Sequence, residues 1–309
     1  MFFSEIPVGD QIGLFTTLAF ALCCMVLYGG YLFVWNTRSG EAMKTTIYTF
    51  TGTGNTLSVV QNLASALGQT VIAPIPGAGG DTDSSPDLTS ADAIGIAFPV
   101  HFMDMPEIVR EWVESLTISG NPYIFGIATC GGSAGGALYN LDMLLKAKGL
   151  HLSSGFVFTM PENFNGPINL MESLDEVEKR LASAGERIPE VAAVIREKQE
   201  LPPEGSDSLP FRIAGPVVRF LLTELYPTKR RFHATEACNR CGLCSRICPT
   251  KNITITGSAV SWGSACTLCY ACIHWCPEEA VEIGNRTKGK RRYTHPDVTV
   301  ADMVAQRGG

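Results

Sequence analysis

Strand-like and helix-like segments alternate along the chain from residue 45 to residue 198. Short apolar runs predict strands at 45–50, 70–75, 93–100, 123–129 and 155–160. Apolar positions at helical spacing predict helices at 57–67, 106–116, 138–148 and 174–198, the last of them broken at Pro189. A loop rich in Gly, Pro, Asp and Ser is predicted at 76–90. Five strands that alternate with helices predict an α/β domain with a doubly wound, mostly parallel sheet.

A long apolar stretch precedes this pattern. No residue from Gln11 to Thr37 is charged, and the stretch 12–35 is almost continuously apolar. As a helix of roughly 36 Å, at ~1.5 Å per residue, it is long enough to span a bilayer. Arg38 and Lys44 follow it, which predicts a single-pass cell-membrane protein with its globular part in the cytoplasm. A buried core helix is the alternative.

The composition divides the chain into five segments. We assign 1–42 to the N-terminal segment with the span, 43–200 to the α/β domain, and 201–232 to a linker that includes a short apolar helix at 217–226. A cysteine-rich domain occupies 233–285, and a basic tail occupies 286–309. The helix at 217–226 is predicted either to pack on the α/β domain or to lie on the membrane surface.

Charge is distributed unevenly. Residues 1–228 carry 12 basic and 24 acidic side chains, whereas residues 229–309 carry 12 basic and 6 acidic ones. The basic runs at 229–231 and 286–292 flank the cysteine-rich core. Because positive charge there would offset anionic metal clusters, it does not indicate a nucleic-acid partner.

A Gly- and Thr-rich loop, TGTGNT at 51–56, lies between the first predicted strand and the first helix. A dinucleotide loop needs a third glycine, and Leu57 occupies that position. An ATP-type loop needs a lysine after its second glycine, and none follows Gly54. Hydroxyl and amide side chains at the start of a helix instead favour a single phosphate group.

The loop resembles the [TS]-G-T-G-N-T phosphate loop of flavodoxins. The resemblance implies FMN as cofactor, a five-stranded sheet of order 2-1-3-4-5, and FMN across the carboxyl ends of the first, third and fourth strands. It also implies that the phosphate is surrounded by Thr51, Gly52, Thr53, Gly54, Asn55 and Thr56.

Two later loops follow the third and fourth strands, FPVHFMDMP at 98–106 and ATCGGSAGG at 128–136. In flavodoxins these loops flank the flavin ring, which implies ring-binding roles here for Pro99, Val100, His101, Phe102, Thr129, Cys130, Gly131 and Gly132. Phe102 and His101 are the candidates to stack on the ring, and ordinary loop packing is the alternative for both.

The second of these loops also contains GGSAG at 131–135, which matches the G-x-S-x-G elbow of hydrolases. A serine nucleophile would need a histidine from elsewhere in the chain, and the candidates are His151, His233 and His274. We favour the flavin interpretation, and we interpret Cys130 as a packing residue.

Eight cysteines form two repeats of C-x2-C-x2-C-x3-C-P, at 238–249 and 266–277. Three close thiolates hold three corners of a [4Fe–4S] cluster, and the fourth ligand comes from the other repeat. The predicted ligand sets are therefore Cys238, Cys241, Cys244 and Cys276 for one cluster, and Cys266, Cys269, Cys272 and Cys248 for the other. This spacing is not that of zinc sites, and metal thiolates indicate a reducing compartment.

A hairpin is predicted between the repeats, at 249–265, within a small α+β two-cluster ferredoxin domain. His274 and Trp275 are predicted to shield cluster sulfurs. The whole order of domains resembles the flavodoxin–ferredoxin fusion proteins of anaerobic bacteria and archaea, over residues 43 to about 300.

Three functions are compatible with this organisation. The first is a membrane-anchored electron-transfer protein that works with a redox protein partner, such as a ferredoxin or a subunit of a membrane redox complex. The second is an FMN-dependent reductase of a small substrate, for which His101 and Asp104 are the nearby proton donors. The third is an accessory subunit that its N-terminal span docks in a membrane redox complex.

Overall fold

The fold is known from a computed structural model that describes residues 43–75, 91–118, 120–164, 170–205, 231–257 and 259–307. The predicted span at 12–35, the loop at 76–90 and the helix at 217–226 lie outside these ranges. Among the helices of the described residues, none combines the length and the apolar character needed to span a membrane.

Five parallel strands form the main sheet in the order β2-β1-β3-β4-β5. Its strands are β1 Thr45–Thr49, β2 Thr70–Pro74, β3 Ala93–Pro99, β4 Tyr123–Cys130 and β5 Ser154–Thr159. Helices α1 Asn55–Leu67, α2 Glu107–Ser115, α3 Ala137–Lys146 and α4 Leu174–Arg196 connect or follow them. This is the flavodoxin-like doubly wound topology, so the predicted order is confirmed.

The sheet is covered on both faces, which explains why β3 and β4 are buried and consist almost entirely of apolar residues. On one face, α2 and α3 pack through side chains such as Trp112 and Leu138. On the other face, α1 and α4 pack through Val60, Leu63 and Ile188. The two apolar layers fix the carboxyl ends of β1, β3 and β4 at one edge.

Helix α4 continues through Pro189, so the predicted break is wrong. A proline in a helix removes one backbone hydrogen bond and crowds the preceding turn. Here Ala184 and Ile188 on one side of that position, and Ala192 and Ile195 on the other, are buried in the same core. Burial on both sides of the proline offsets the local cost and keeps the helix in one piece.

The cysteine-rich region is built from two similar halves. Its elements are β6 Phe232–Ala234, α5 Leu243–Arg246, β7 Ile253–Thr256, β8 Ala259–Trp262, α6 Ala271–His274 and β9 Val281–Ile283. Strand β6 pairs with β9, and β7 pairs with β8 in the hairpin predicted between the repeats. Each half thus contributes a short helix next to its cysteines.

The segment after residue 285, predicted as a tail, is folded against the rest. Helix α7, Val300–Ala305, begins with a capping box formed by Thr299 and Asp302. Val298 and Met303 share an apolar cluster with Leu57 of α1 and Leu243 of α5. The described residues belong to one compact unit.

Candidate functional site

A cavity of about 390 Å³ lies at the carboxyl edge of the sheet, next to the Gly- and Thr-rich loop at 51–56, which we call the phosphate-type loop. Thirteen of the fourteen predicted flavin-site residues line it: Thr51, Gly52, Thr53, Asn55, Thr56, Pro99, Val100, His101, Phe102, Thr129, Cys130, Gly131 and Gly132. The remaining one, Gly54, caps helix α1 in a left-handed conformation with φ of 100°. A side chain there would meet His295 and Val298, so Gly54 shapes the loop from behind.

The loop at 51–56 is held in shape by its own hydroxyl groups. The Gly54 N–H donates to Thr51 Oγ1 at 3.1 Å, and the Thr56 and Thr129 hydroxyls share a hydrogen bond of 2.7 Å. No side chain caps the first turn of α1. Unpaired amides at a helix N-terminus carry partial positive charge and attract an anion, as the sequence predicted for this loop.

Asn55 differs from its neighbours in the loop because the protein engages both ends of its amide. Its Nδ2 donates to the carbonyl oxygen of Pro161 at 3.0 Å, and its Oδ1 accepts from the Tyr293 hydroxyl at 2.6 Å. The side chain is only 5% exposed. Asn55 therefore fastens the loop to the segment after β5 and to the C-terminal segment.

The turn after β3 has an unusual backbone. Phe102 and Met103 both adopt positive φ, at 52° and 64°, between the paired residues His101 and Asp104. Non-glycine residues rarely adopt this conformation, because it costs free energy that interactions with neighbouring residues must offset. The buried Asp104 carboxylate supplies the anchor, since it binds Arg110 at 2.7 Å and Asn140 at 2.9 Å.

Three aromatic rings line the cavity together with the loop at 51–56. Phe102 meets Phe164 edge-on at 6.3 Å between ring centroids, and Phe164 meets Tyr270 at 5.9 Å. The sequence predicts a ring-binding role for Phe102 but not for Phe164 or Tyr270. Phe164 follows β5 at the same edge of the sheet, and this position is the feature of the sequence that could have indicated its place in the cavity. Tyr270 comes from the second cysteine repeat, and no local pattern assigns it to this cavity.

Two titratable side chains of the cavity are held in their neutral forms. Burial lowers the pKa of His101 to about 4, although a hydrogen bond with the Thr267 backbone works in the opposite direction. Burial also raises the pKa of the Cys130 thiol to about 11, and the nearby Glu162 carboxylate adds to the effect. A protonated, buried thiol agrees with a packing role for Cys130.

The serine of GGSAG is not arranged as a nucleophile. Ser133 Oγ accepts a hydrogen bond from the Gly135 N–H at 3.1 Å. The candidate histidines are engaged elsewhere: His151 with Glu200, His233 with the Arg231 carbonyl, and His274 with the Asn163 carbonyl. The geometry does not support a hydrolase.

The eight cysteines of the repeats gather into two sets around two small cavities. The first cysteine set consists of Cys238, Cys241, Cys244 and Cys276. The second cysteine set consists of Cys248, Cys266, Cys269 and Cys272. Each set takes three cysteines from one repeat and the last cysteine of the other, so the structure brings together the same residues that the sequence grouped.

Within the sets, neighbouring thiols raise one another's pKa, and some sulfur atoms accept hydrogen bonds from backbone amides. Burial raises the pKa of Cys244 to about 11, and Cys276, Cys241 and Cys238 raise it further. The amides of Asn252 and Ala280, four residues after the last cysteine of each repeat, point at Cys248 Sγ and Cys276 Sγ at 3.3 Å. All eight cysteines are free of disulfides. Within the described part of the chain, no group of three or more His, Cys, Asp or Glu side chains is arranged to bind a metal ion.

The cysteine region contacts the phosphate-type loop directly. Trp275 Nε1 donates to the carbonyl oxygen of Gly52 at 3.1 Å. His274 Nε2 lies 2.9 Å from the Asn163 carbonyl oxygen, and its Nδ1 accepts from the Tyr293 N–H at 3.1 Å. A ring that donates at one nitrogen and accepts at the other is neutral, in agreement with the burial that lowers the pKa of His274 to about 4. His274 and Trp275 thus join the two parts of the molecule.

Comparisons with known proteins find partial similarity to solved structures, over about half of this chain. No family model matches the sequence, and no curated protein matches it. A WrbA-like flavodoxin from Agrobacterium tumefaciens is 16% identical over 51% of this chain and 99% of its own, with a TM-score of 0.34. The NAD(P)H:quinone oxidoreductase from Methanothermobacter marburgensis is 12% identical over 49% and 96%, with a TM-score of 0.33. An azoreductase from Bacillus anthracis is 12% identical over 48% and 99%, with a TM-score of 0.32.

Proposed function

We propose that this chain is an electron-transfer protein that holds FMN in the cavity at the sheet edge and one [4Fe–4S] cluster in each cysteine set. The supporting observation is that a hydroxyl-lined cavity after β1 and two four-cysteine sets occur within one compact unit. FMN exchanges one or two electrons and such a cluster exchanges one, so together they would connect two-electron to one-electron partners. The partner would be another redox protein, such as a ferredoxin or a subunit of a membrane redox complex.

The residues of the cavity suit the two ends of FMN. Thr51, Thr53 and Thr56, with the uncapped first turn of α1, would bind the phosphate. The loops after β3 and β4 and the rings of Phe102, Phe164 and Tyr270 would enclose the flavin ring, because aromatic walls favour a planar ligand. The chain's part would be to bind the cofactor, orient it and exclude water.

The cysteine sets suit cubane clusters better than single ions. A single ion such as zinc needs sulfurs that converge on one point at about 2.3 Å. A cubane offers each thiolate a different iron, so its four ligands lie further apart and need not converge. Backbone amides that point at Cys248 and Cys276 would stabilise thiolate charge. The excess of basic side chains in 229–309 would offset the negative charge of the clusters.

Attachment to the membrane is a separate part of the proposal. The predicted span at 12–35 would fix the protein to the cell membrane, with the redox centres on the cytoplasmic side. If the span docks the protein in a membrane complex, integral subunits should co-purify with it in mild detergent. Purification of the full chain alone from the membrane fraction would favour the independent carrier.

The second candidate is an FMN-dependent reductase of a small substrate. In its favour, His101 lines the cavity and belongs to one of the two loops expected to flank the flavin ring. Against it, the Asp104 carboxylate is already bound by Arg110, Asn140 and the Met105 N–H, so it is not free to deliver a proton. Burial lowers the pKa of His101 to about 4, so its imidazole is neutral at pH 7, and its hydrogen bond with the Thr267 backbone also counts against it as the proton donor.

An anaerobic reductive titration tests the proposal. The full chain would take up about four electrons, two for the flavin and one for each cluster. Uptake of two electrons or fewer would contradict the three-centre assignment. Repeated turnover of a small organic acceptor by the reduced protein, without any protein partner, would favour the reductase instead.

A further inference from the structure

We call the cavity proposed to hold FMN, which is lined by residues such as Thr51, Phe102 and Thr129, the flavin cavity. One cysteine set borders this cavity and the other does not. Cys269 and Tyr270 line both the flavin cavity and the cavity of the second cysteine set. No member of the first cysteine set lines the flavin cavity, and its Cys241 is exposed. We infer that the second cysteine set is the flavin-proximal set and that the first is the partner-facing set. The inference rests on the proposed function, because it concerns the order of centres that the function requires.

A close backbone contact between Cys269 and the phosphate-type loop places the second cysteine set next to the flavin cavity. A Cβ built on Gly52 would overlap the carbonyl oxygen of Cys269 and lie 3.4 Å from its Cβ. Only a glycine lets the two backbones approach this closely. The hydrogen bond from Trp275, also in the second repeat, to Gly52 stabilises the same contact.

The peptide unit of Cys269 and Tyr270 therefore forms the wall between the two cavities. Leu268 and Tyr270 adopt positive φ of 56° and 58°, and both residues line the flavin cavity. Leu268 is 3% exposed and Tyr270 is 8% exposed, so the wall is shielded from water. A dry, short separation between two cofactor cavities favours direct electron exchange across it.

The surroundings of the first cysteine set have the opposite character. Its cavity is bordered by Asn239, Arg240 and Glu278. Asn239 and Arg240 are exposed, and Asn239 bonds both to Glu278 and to the exposed Cys241 N–H. A partner protein could approach this set without displacing buried structure. We expect the docking surface to include Asn239, Arg240 and Cys241.

Electron paramagnetic resonance tests the order of the sets. In partly reduced protein, a paramagnetic cluster next to the flavin speeds relaxation of the flavin signal, which raises the microwave power needed to saturate it. The matched variants are Cys241→Ala in the first set and Cys266→Ala in the second, because neither residue lines the flavin cavity. We expect Cys266→Ala to lose the fast relaxation and Cys241→Ala to retain it.

Iron and flavin analysis keeps the outcomes distinct. A variant is included in the comparison only if it retains flavin and about four irons. If Cys241→Ala does not, Cys238→Ala replaces it, and if Cys266→Ala does not, Cys248→Ala replaces it. Fast relaxation that survives in the second-set variant, or disappears in the first-set variant, would overturn the inference. A wild-type protein without flavin or iron would instead overturn the proposed function itself.

Discussion

The indole Nε1 of Trp275 donates a hydrogen bond to the carbonyl oxygen of Gly52, at 3.1 Å. One residue belongs to the second cysteine repeat and the other to the phosphate-type loop. Tyr293 makes a second link, through its hydroxyl to Asn55 Oδ1. The cysteine region thus forms part of the wall of the cavity proposed to hold FMN, so substitutions at this contact should alter FMN binding.

Gly52→Ala should disturb this contact directly. The new methyl group would overlap the backbone of Cys269, which cannot move aside as a flexible side chain can. Overpacking of this kind costs ~1–3 kcal/mol. We expect the free energy of unfolding to fall by that order, and the dissociation constant of FMN to rise about tenfold for each ~1.4 kcal/mol lost from the bound state. Urea unfolding and flavin fluorescence titration measure the two effects.

Gly185→Ala is the matched control for that substitution. Gly185 lies in helix α4, and a Cβ there meets no atom within 4 Å. Alanine is favoured over glycine in a helix by up to ~1 kcal/mol, so this variant should be slightly more stable and bind FMN unchanged. Equal FMN affinity in both variants would contradict the account of Gly52.

Tyr293→Phe should weaken FMN binding from outside the cavity. The variant removes the hydroxyl that donates to Asn55 Oδ1 at 2.6 Å and leaves a buried acceptor unpaired, at a cost of ~1–3 kcal/mol. Asn55 would then hold the phosphate-type loop less firmly. Isothermal titration with FMN should show a higher dissociation constant.

Tyr123→Phe separates that effect from general destabilisation. The Tyr123 hydroxyl bonds to Ser154 at 2.7 Å and to the Gln199 carbonyl at 2.8 Å, and Tyr123 does not line the flavin cavity. The two variants should lose similar stability, but only Tyr293→Phe should lose FMN affinity. Parallel losses of affinity would mean that Tyr293 acts on stability alone.

His101 should make stability depend on pH. Its folded pKa, about 4, lies below its ordinary value of 6.5, chiefly because of burial. As pH falls below the ordinary value, the unfolded chain takes up a proton that folded His101 does not, so its stability contribution is lost toward pH 4. Relative to His101→Gln, the wild type should lose at most ~1.5 kcal/mol between about pH 7.5 and about pH 5.5. Urea unfolding at several pH values would detect this, and a difference that does not vary with pH would contradict it.

The sequence predicted features that repeat locally and missed contacts between distant segments. The alternation of strand-like and helix-like segments was sufficient to predict the sheet, and its strands β3 and β4, which are buried, are almost entirely apolar. The spacing of Cys238, Cys241 and Cys244 was sufficient to group them with Cys276, as the structure also does. The roles of the cysteines as ligands stay a prediction.

The missed residues have a common physical reason. Tyr270 contacts Phe164 across 106 residues of sequence, and Tyr293 contacts Asn55 across 238, whereas periodicity describes only neighbours along the chain. Pro189 shows the reverse error, because a local rule predicted a helix break that burial of Ile188 and Ala192 overrides. Both kinds of error concern packing, which a single sequence does not display.

The most direct measurement is the iron, acid-labile sulfide and flavin content of the full chain purified without oxygen. The account predicts about eight irons, about eight sulfides and one FMN per chain, since each cysteine set would hold one four-iron cluster. Zinc in place of iron and sulfide, or the absence of bound flavin, would contradict it.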